Sequence, residues 1–151
     1  LARFRDRHQA HDIVAVADTR TAEGMKQYYG SDYAASCIYS TKEFIDKNPN
    51  TVQAVVNAMV RADKWIAKAT PQQIVDLMPN EFKSGSPTLY KEGLLKNMIG
   101  FSENGTMSLK AAENVYKVLA QFEPSVMKAG KIDLNATFDN SFVQKANAKY
   151  K

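Results

Sequence analysis

Residues 40–66, STKEFIDKNPNTVQAVVNAMVRADKWI, decide how the chain reads. Ser40-Thr41-Lys42-Glu43 has the form of a capping box, in which a hydroxyl and a carboxylate satisfy two amides that the first helical turn leaves unpaired. The short helix it opens stops at Asn48-Pro49. Pro49 suits the first turn of the next helix, where its missing N–H has no partner to lose. Val52, Val55, Val56, Met59, Val60 and Ile66 then recur at the spacing of one apolar helical face, which predicts a long helix burying that face.

Downstream the same devices repeat. Thr70-Pro71-Gln72-Gln73 caps a helix running to Pro79, and Ser86-Pro87 leads into Leu89, Tyr90, Leu94, Leu95 and Met98. Asn104-Gly105 marks a tight turn. Ser108 caps a helix carrying Ala112, Val115, Tyr116, Leu119 and Phe122, and Pro124 ends it or restarts a shorter one. Residues 130–139 read as irregular, and Ser141 onward as a terminal helix. Upstream the reading changes. Residues 13–17, Ile-Val-Ala-Val-Ala, and residues 34–39, Ala-Ala-Ser-Cys-Ile-Tyr, have the length and apolar character of strands. Residues 21–32 between them, with Gly24 and Gly30, read as turns. Two strands do not make a stable sheet alone. They either pair within a small α+β domain or belong to sheets whose other members lie upstream. The expected class is α/β and helix-rich.

The chain has 151 residues, 44% of them hydrophobic and 24% charged, with a net charge of +4. This is one globular domain's worth of chain, without a membrane-spanning apolar stretch. The basic residues are scattered, so nucleic acid is not an expected partner. One cysteine, Cys37, excludes an internal disulfide and a thiolate metal cluster. The opening LARFRDRH is no secretory leader and reads as the middle of a longer protein.

Candidate chemistry is sparse. His8 and His11 stand three apart beside Asp12, a spacing a metal site can use, but no further His or Cys cluster completes a shell. A solvated basic arm explains them. Cys37 lies in an apolar run and reads as a buried small hydrophobe. No carboxylate pair and no Gly-rich phosphate loop is present, so neither an enzyme nor a cofactor is expected. Tyr28, Tyr29, Tyr33 and Tyr39 flank the two strand candidates, where they either line a ligand cleft or pack with wet hydroxyls. Trp65 reads as packing, and Asp63 as the edge of the apolar stripe.

Residues 41–66, with their F…NP…V.A…A…A..WI pattern, resemble the helix pair of periplasmic solute-binding proteins of the ABC-type nitrate/sulfonate/taurine import family. Residues 14–20 and 28–33 resemble the same family's passage between lobes. Residues 101–107 and 133–143 match in kind and order. The resemblance covers about residues 13 to 149. It implies the C-terminal portion of a two-lobe periplasmic-binding-protein (type II) fold: residues 1–33 as the end of the second lobe and crossover, 34–151 as the returning strand and helical part of the first.

It further implies a periplasmic or surface lipid-anchored protein that captures a small, anionic solute such as nitrate, a sulfonate or taurine. The partner would be an ABC permease in the inner membrane. The ligand would sit beyond the strand ends, making Thr19, Arg20 and Tyr33 the candidate binding residues. Arg20 offers bidentate anion pairing, and Tyr33 can stack on or cover the solute. Ser40 would lie away from the cleft. A lone part of such a protein is expected to self-associate through open strand edges. Two other functions remain open: a helical module using its basic charge to meet an acidic partner, and, distantly, an enzyme of the thiamine-pyrimidine type built on the same fold.

Overall fold

The computed structural model describes residues 14, 16–19, 21–30, 33–83 and 86–151. Of these, 67% are helical and none lies in a strand. The helices are α1 (Ala22–Tyr29), α2 (Lys42–Lys47), α3 (Pro49–Ile66), α4 (Pro71–Leu77), α5 (Pro87–Asn97), α6 (Leu109–Phe122), α7 (Pro124–Ala129) and α8 (Ser141–Lys149). Single 3₁₀ turns lie at Asn80–Lys83, Met98–Gly100 and Leu134–Ala136.

Local chemistry explains most of the boundaries. Thr70 accepts from the Gln73 amide while the Gln73 side chain bonds back to Thr70, a complete capping box. Ser86 and Ser108 cap α5 and α6 with their hydroxyls alone, accepting from the amides of Leu89 and Ala111. Pro49, Pro71, Pro87 and Pro124 all stand in first turns. α2 begins one residue later than expected. Thr41, rather than Ser40, accepts from Phe44 N at 3.2 Å, and Glu43 turns instead to Lys47 at 2.6 Å.

The centre of packing is the seam between α3 and α8. Val60 meets Val143 and Ala146, with Val56 alongside. Polar ties flank this contact. Gln53 Nε2 donates to Phe142 O at 2.9 Å, and Lys64 Nζ donates to Tyr150 O. Asn140 closes the loop before α6: its side chain accepts from Met107 N at 3.0 Å and donates to Met107 O at 2.9 Å. Asn147 Nδ2 donates to Asn104 O at 2.7 Å. Gly105, at φ 69°, fits where a Cβ would stand 3.0 Å from Val143 Cγ2. Elsewhere α4 packs on α5 and α6 on α7; Ile74 and Val75 of α4 and Ala111, Ala112 and Asn114 of α6 are buried.

Four expectations need correction. The chain is all-helical over its described residues, not α/β. Residues 34–39 form no strand: among the described residues no second strand lies beside them to complete a ladder, and they run without turn or bend, exposed from Ala35 onward. Of residues 13–17, Ile13 and Ala15 lie outside the described residues, and Val14, Val16 and Ala17 are exposed and not in a strand. With the sheet goes the identification as the C-terminal part of a type II periplasmic-binding protein of the nitrate/sulfonate/taurine family, whose fold would be α/β. Third, residues 22–29 are helical where turns were expected. Fourth, the buried face of α3 centres on Val60, while Val55 and Met59 on the expected face are 46% and 47% exposed.

Candidate functional site

Of the candidate residues, Thr19 lies at the start of α1 and Tyr33 against its end. Thr21 Oγ1 accepts from Gly24 N at 3.1 Å and starts the helix. Gly30, at φ 82°, ends it by donating its N–H to Lys26 O at 2.9 Å. Gly24 is needed for packing. A Cβ there would stand 1.8 Å from Asp18 O, so the backbone of residues 18–19 presses directly on the first turn of α1.

Thr19 therefore lies exposed against the start of α1. At its other end α1 brings Tyr29 to Tyr33, with ring centroids 4.8 Å apart and planes tilted by 45°. Both rings are half-buried. The Tyr28 hydroxyl donates to Val16 O at 3.4 Å, tying α1 to the chain before it. Arg20, the third expected site residue, lies outside the described residues, as do His8 and His11. The arrangement offers an aromatic ledge for stacking and hydroxyl donors for an anion's oxygens.

Other expectations resolve differently. Cys37 is exposed rather than buried, and Trp65 is 42% exposed, so it is only partly packed. Ser40 is exposed and caps nothing. Asp63 is half-buried on α3, and burial raises its carboxyl above the usual range. Among the described residues, no group of three His, Cys, Asp or Glu side chains could hold a metal ion. No described helix is long and apolar enough to cross a membrane.

A basic edge at the end of the α3–α8 seam was not anticipated, because its members come from distant parts of the chain. Arg61 and Lys149 lie over the Tyr150 ring at 5.5 and 5.4 Å, and Lys145 over Phe142 at 5.7 Å. Beside it, Asp139 is held below the usual carboxylate range, chiefly by the backbone and side chain of Ser141, with a lesser contribution from Lys145. The i, i+4 spacing of Lys145 and Lys149 was the available signal on α8.

Compared with known proteins, the chain matches no protein-family model and no curated protein. It is similar to a solved protein of Bordetella bronchiseptica RB50, with 38% identity and a TM-score of 0.85. The match covers 95% of this chain and 45% of that one, so the chain spans less than half the length of its structural neighbour. That neighbour is a protein of uncharacterised function.

Proposed function

We propose that this chain is part of a solute-binding component of an ABC importer, capturing a small anionic solute of the nitrate, sulfonate or taurine kind without altering it. One observation carries the reading: nearly the whole chain, at 38% identity, corresponds to less than half of a longer protein. The chain then works as one side of a body about twice its size. Its surface agrees with such a role. Val55, Met59, Phe44, Ile38 and Phe122 are all substantially exposed, apolar area that a larger body would cover.

A solute held between two parts of one body is screened from water on both sides. This chain would supply the Tyr29–Tyr33 ledge, Thr19 and the Arg20 guanidinium. On this reading the protein works in the periplasm or lipid-anchored at the cell surface, and its partner is the importer's permease. Calorimetric titration of the natural full-length polypeptide with nitrate, taurine and alkyl and aryl sulfonates tests it. Binding of one solute, weakened at least about tenfold in Arg20→Ala or Tyr33→Ala, is the expected result. Binding of none, or turnover of any, contradicts it.

A second reading, a helical module that meets an acidic partner, is favoured by the basic edge. Arg61, Lys64 and Lys149 converge on Tyr150 and form no ion pair among the described residues. It requires binding to polyglutamate that falls steeply with salt and with Arg61→Ala. Indifference to polyglutamate at low salt removes it.

A further inference from the structure

One side of the α3–α8 seam gathers cations from both helices. Gln53 of α3 bonds to Phe142 and Lys64 to Tyr150, so the two helices run side by side in the same direction. On α3, Arg61 and Trp65 stand at i and i+4, and Lys68 follows at i+7, its amide continuing the turn to Trp65 O. On α8, Phe142, Lys145 and Lys149 recur at i, i+3 and i+7. Arg61 and Lys149 both reach the Tyr150 ring, which puts the two rows on the same side of the seam.

The charge on that side has one sign. Arg61, Lys68, Lys145 and Lys149 are exposed, and none forms an ion pair among the described residues. α8 has no acidic residue. The single acid of α3, Asp63, lies two residues from Arg61, about 200° around the helix. Asp139 stands before the start of α8, at the opposite end from Lys149. The helix dipole accounts for a lysine in a last turn, as at Lys149. Arg61 and Lys145 stand a turn or more further back.

We infer that this side docks on the surface of an anionic phospholipid bilayer, an inference that rests on the second reading, in which the basic edge meets an acidic partner, and that names the partner. The kind of cation separates a bilayer from an acidic protein. Three of the four exposed cations are lysines. Protein interfaces are enriched in arginine and depleted in lysine, because a planar guanidinium holds a carboxylate in fixed geometry. Lysine is a mobile, strongly hydrated point charge that suits a fluid layer of headgroups. The aromatic residues fit the same partner. Trp65, 42% exposed, stands between Arg61 and Lys68 in one row, and the half-buried Tyr150 ring lies under Arg61 and Lys149. Amphipathic rings among lysines settle at the headgroup level, with the lysine stems lying along apolar surface.

Vesicle binding by the natural full-length polypeptide tests this, with phosphatidylglycerol and phosphatidylcholine in about equal parts against phosphatidylcholine alone. Binding to the anionic vesicles only, falling steeply with salt, is expected. Each cation contributes about fivefold, so Lys145→Gln with Lys149→Gln should weaken binding about tenfold or more. Lys42→Gln with Lys47→Gln removes the same charge from α2, where both lysines are ion-paired, and should change binding far less. The part of the tryptophan emission that Trp65→Phe removes should shift to the blue on anionic vesicles and not on polyglutamate. Equal binding to neutral vesicles, an equal loss in the two double variants, or an unshifted Trp65 emission overturns the inference. Polyglutamate separates it from the reading beneath it. Binding to polyglutamate without binding to anionic vesicles overturns the bilayer and leaves an acidic protein as the partner. Vesicle binding with indifference to polyglutamate upholds the bilayer and removes a protein partner. Binding to neither removes both.

Discussion

The α3–α8 seam and the described residues 14, 16, 17 and 34–40 carry similar apolar side chains and end in opposite states. In the seam, Val60, Val143 and Ala146 meet at helical spacing, and Gln53, Lys64, Asn140 and Asn147 tie off the neighbouring backbone. In the other region, Val14, Val16, Ile38 and Tyr39 are exposed, and the main chain from 34 to 40 bonds to no other described backbone group. The difference is one of valency. A helix satisfies its own backbone and needs only one apolar face covered. An extended segment needs a neighbour for every residue, and among the described residues it has none.

The largest effect that tests this contrast is a charge placed in each region. Val60 is 3% exposed, so Val60→Asp buries an unpaired carboxylate and should cost about 3 kcal/mol or more. Ile38→Asp in the open segment should change stability by less than about 0.5 kcal/mol. Thermal melts of the 151-residue chain compare them directly, and equal losses would erase the distinction. Asn140→Ala comes next. It removes both bonds to Met107 and should cost about 1–3 kcal/mol, read as a lower midpoint in urea. Gly105→Ala adds a methyl at φ 69° within 3.0 Å of Val143 and should cost about 1–2 kcal/mol. Gly30→Ala loses only the conformational term, since nothing lies within 4 Å of its added Cβ. The smaller loss expected at Gly30 isolates what contact with the seam contributes.

Asp63 gives the smallest effect, and its sign is fixed. Burial raises the carboxyl pKa in the folded state above its unfolded value. The folded protein therefore holds the proton more tightly, and the charged form costs stability once the pH exceeds that raised value. Asp63→Asn should melt slightly higher at pH 7. The gain should fade as the pH falls through the carboxylate range, where the parent becomes neutral as well. A lower melting point at pH 7 would mean that the carboxylate has a stabilising partner.

What was legible in the sequence follows the same division. The caps at Thr70, Ser86 and Ser108 and the prolines at 49, 71, 87 and 124 read correctly because capping is settled within four residues. The helix α1 was missed because Gly24 and Gly30 suggest turns. In fact Gly24 makes room for Asp18 O, and Gly30 is the left-handed stop after the last turn. Thr21 followed by that glycine stop was the signal. The inward face of α3 was only partly legible because its apolar arc is broad: contact with α8 covers Val56 and Val60 and leaves Val55 and Met59 exposed. Strand pairing at 34–39 was not legible, since alternation and β-branching describe a residue's fitness for a ladder and not the presence of a partner. At the candidate site, the Tyr29–Tyr33 pair was visible as a cluster of tyrosines. The basic edge was not, because Arg61 and Lys149 meet only through the fold.

Residue-resolved hydrogen exchange on the 151-residue chain tests the contrast most directly. The amides of α3 and α8 should be the slowest in the molecule, while those of residues 34–40 exchange at the rate of unstructured peptide. Protection of 34–40 in this chain alone, or exchange in α3 and α8 as fast as in that segment, would contradict the account.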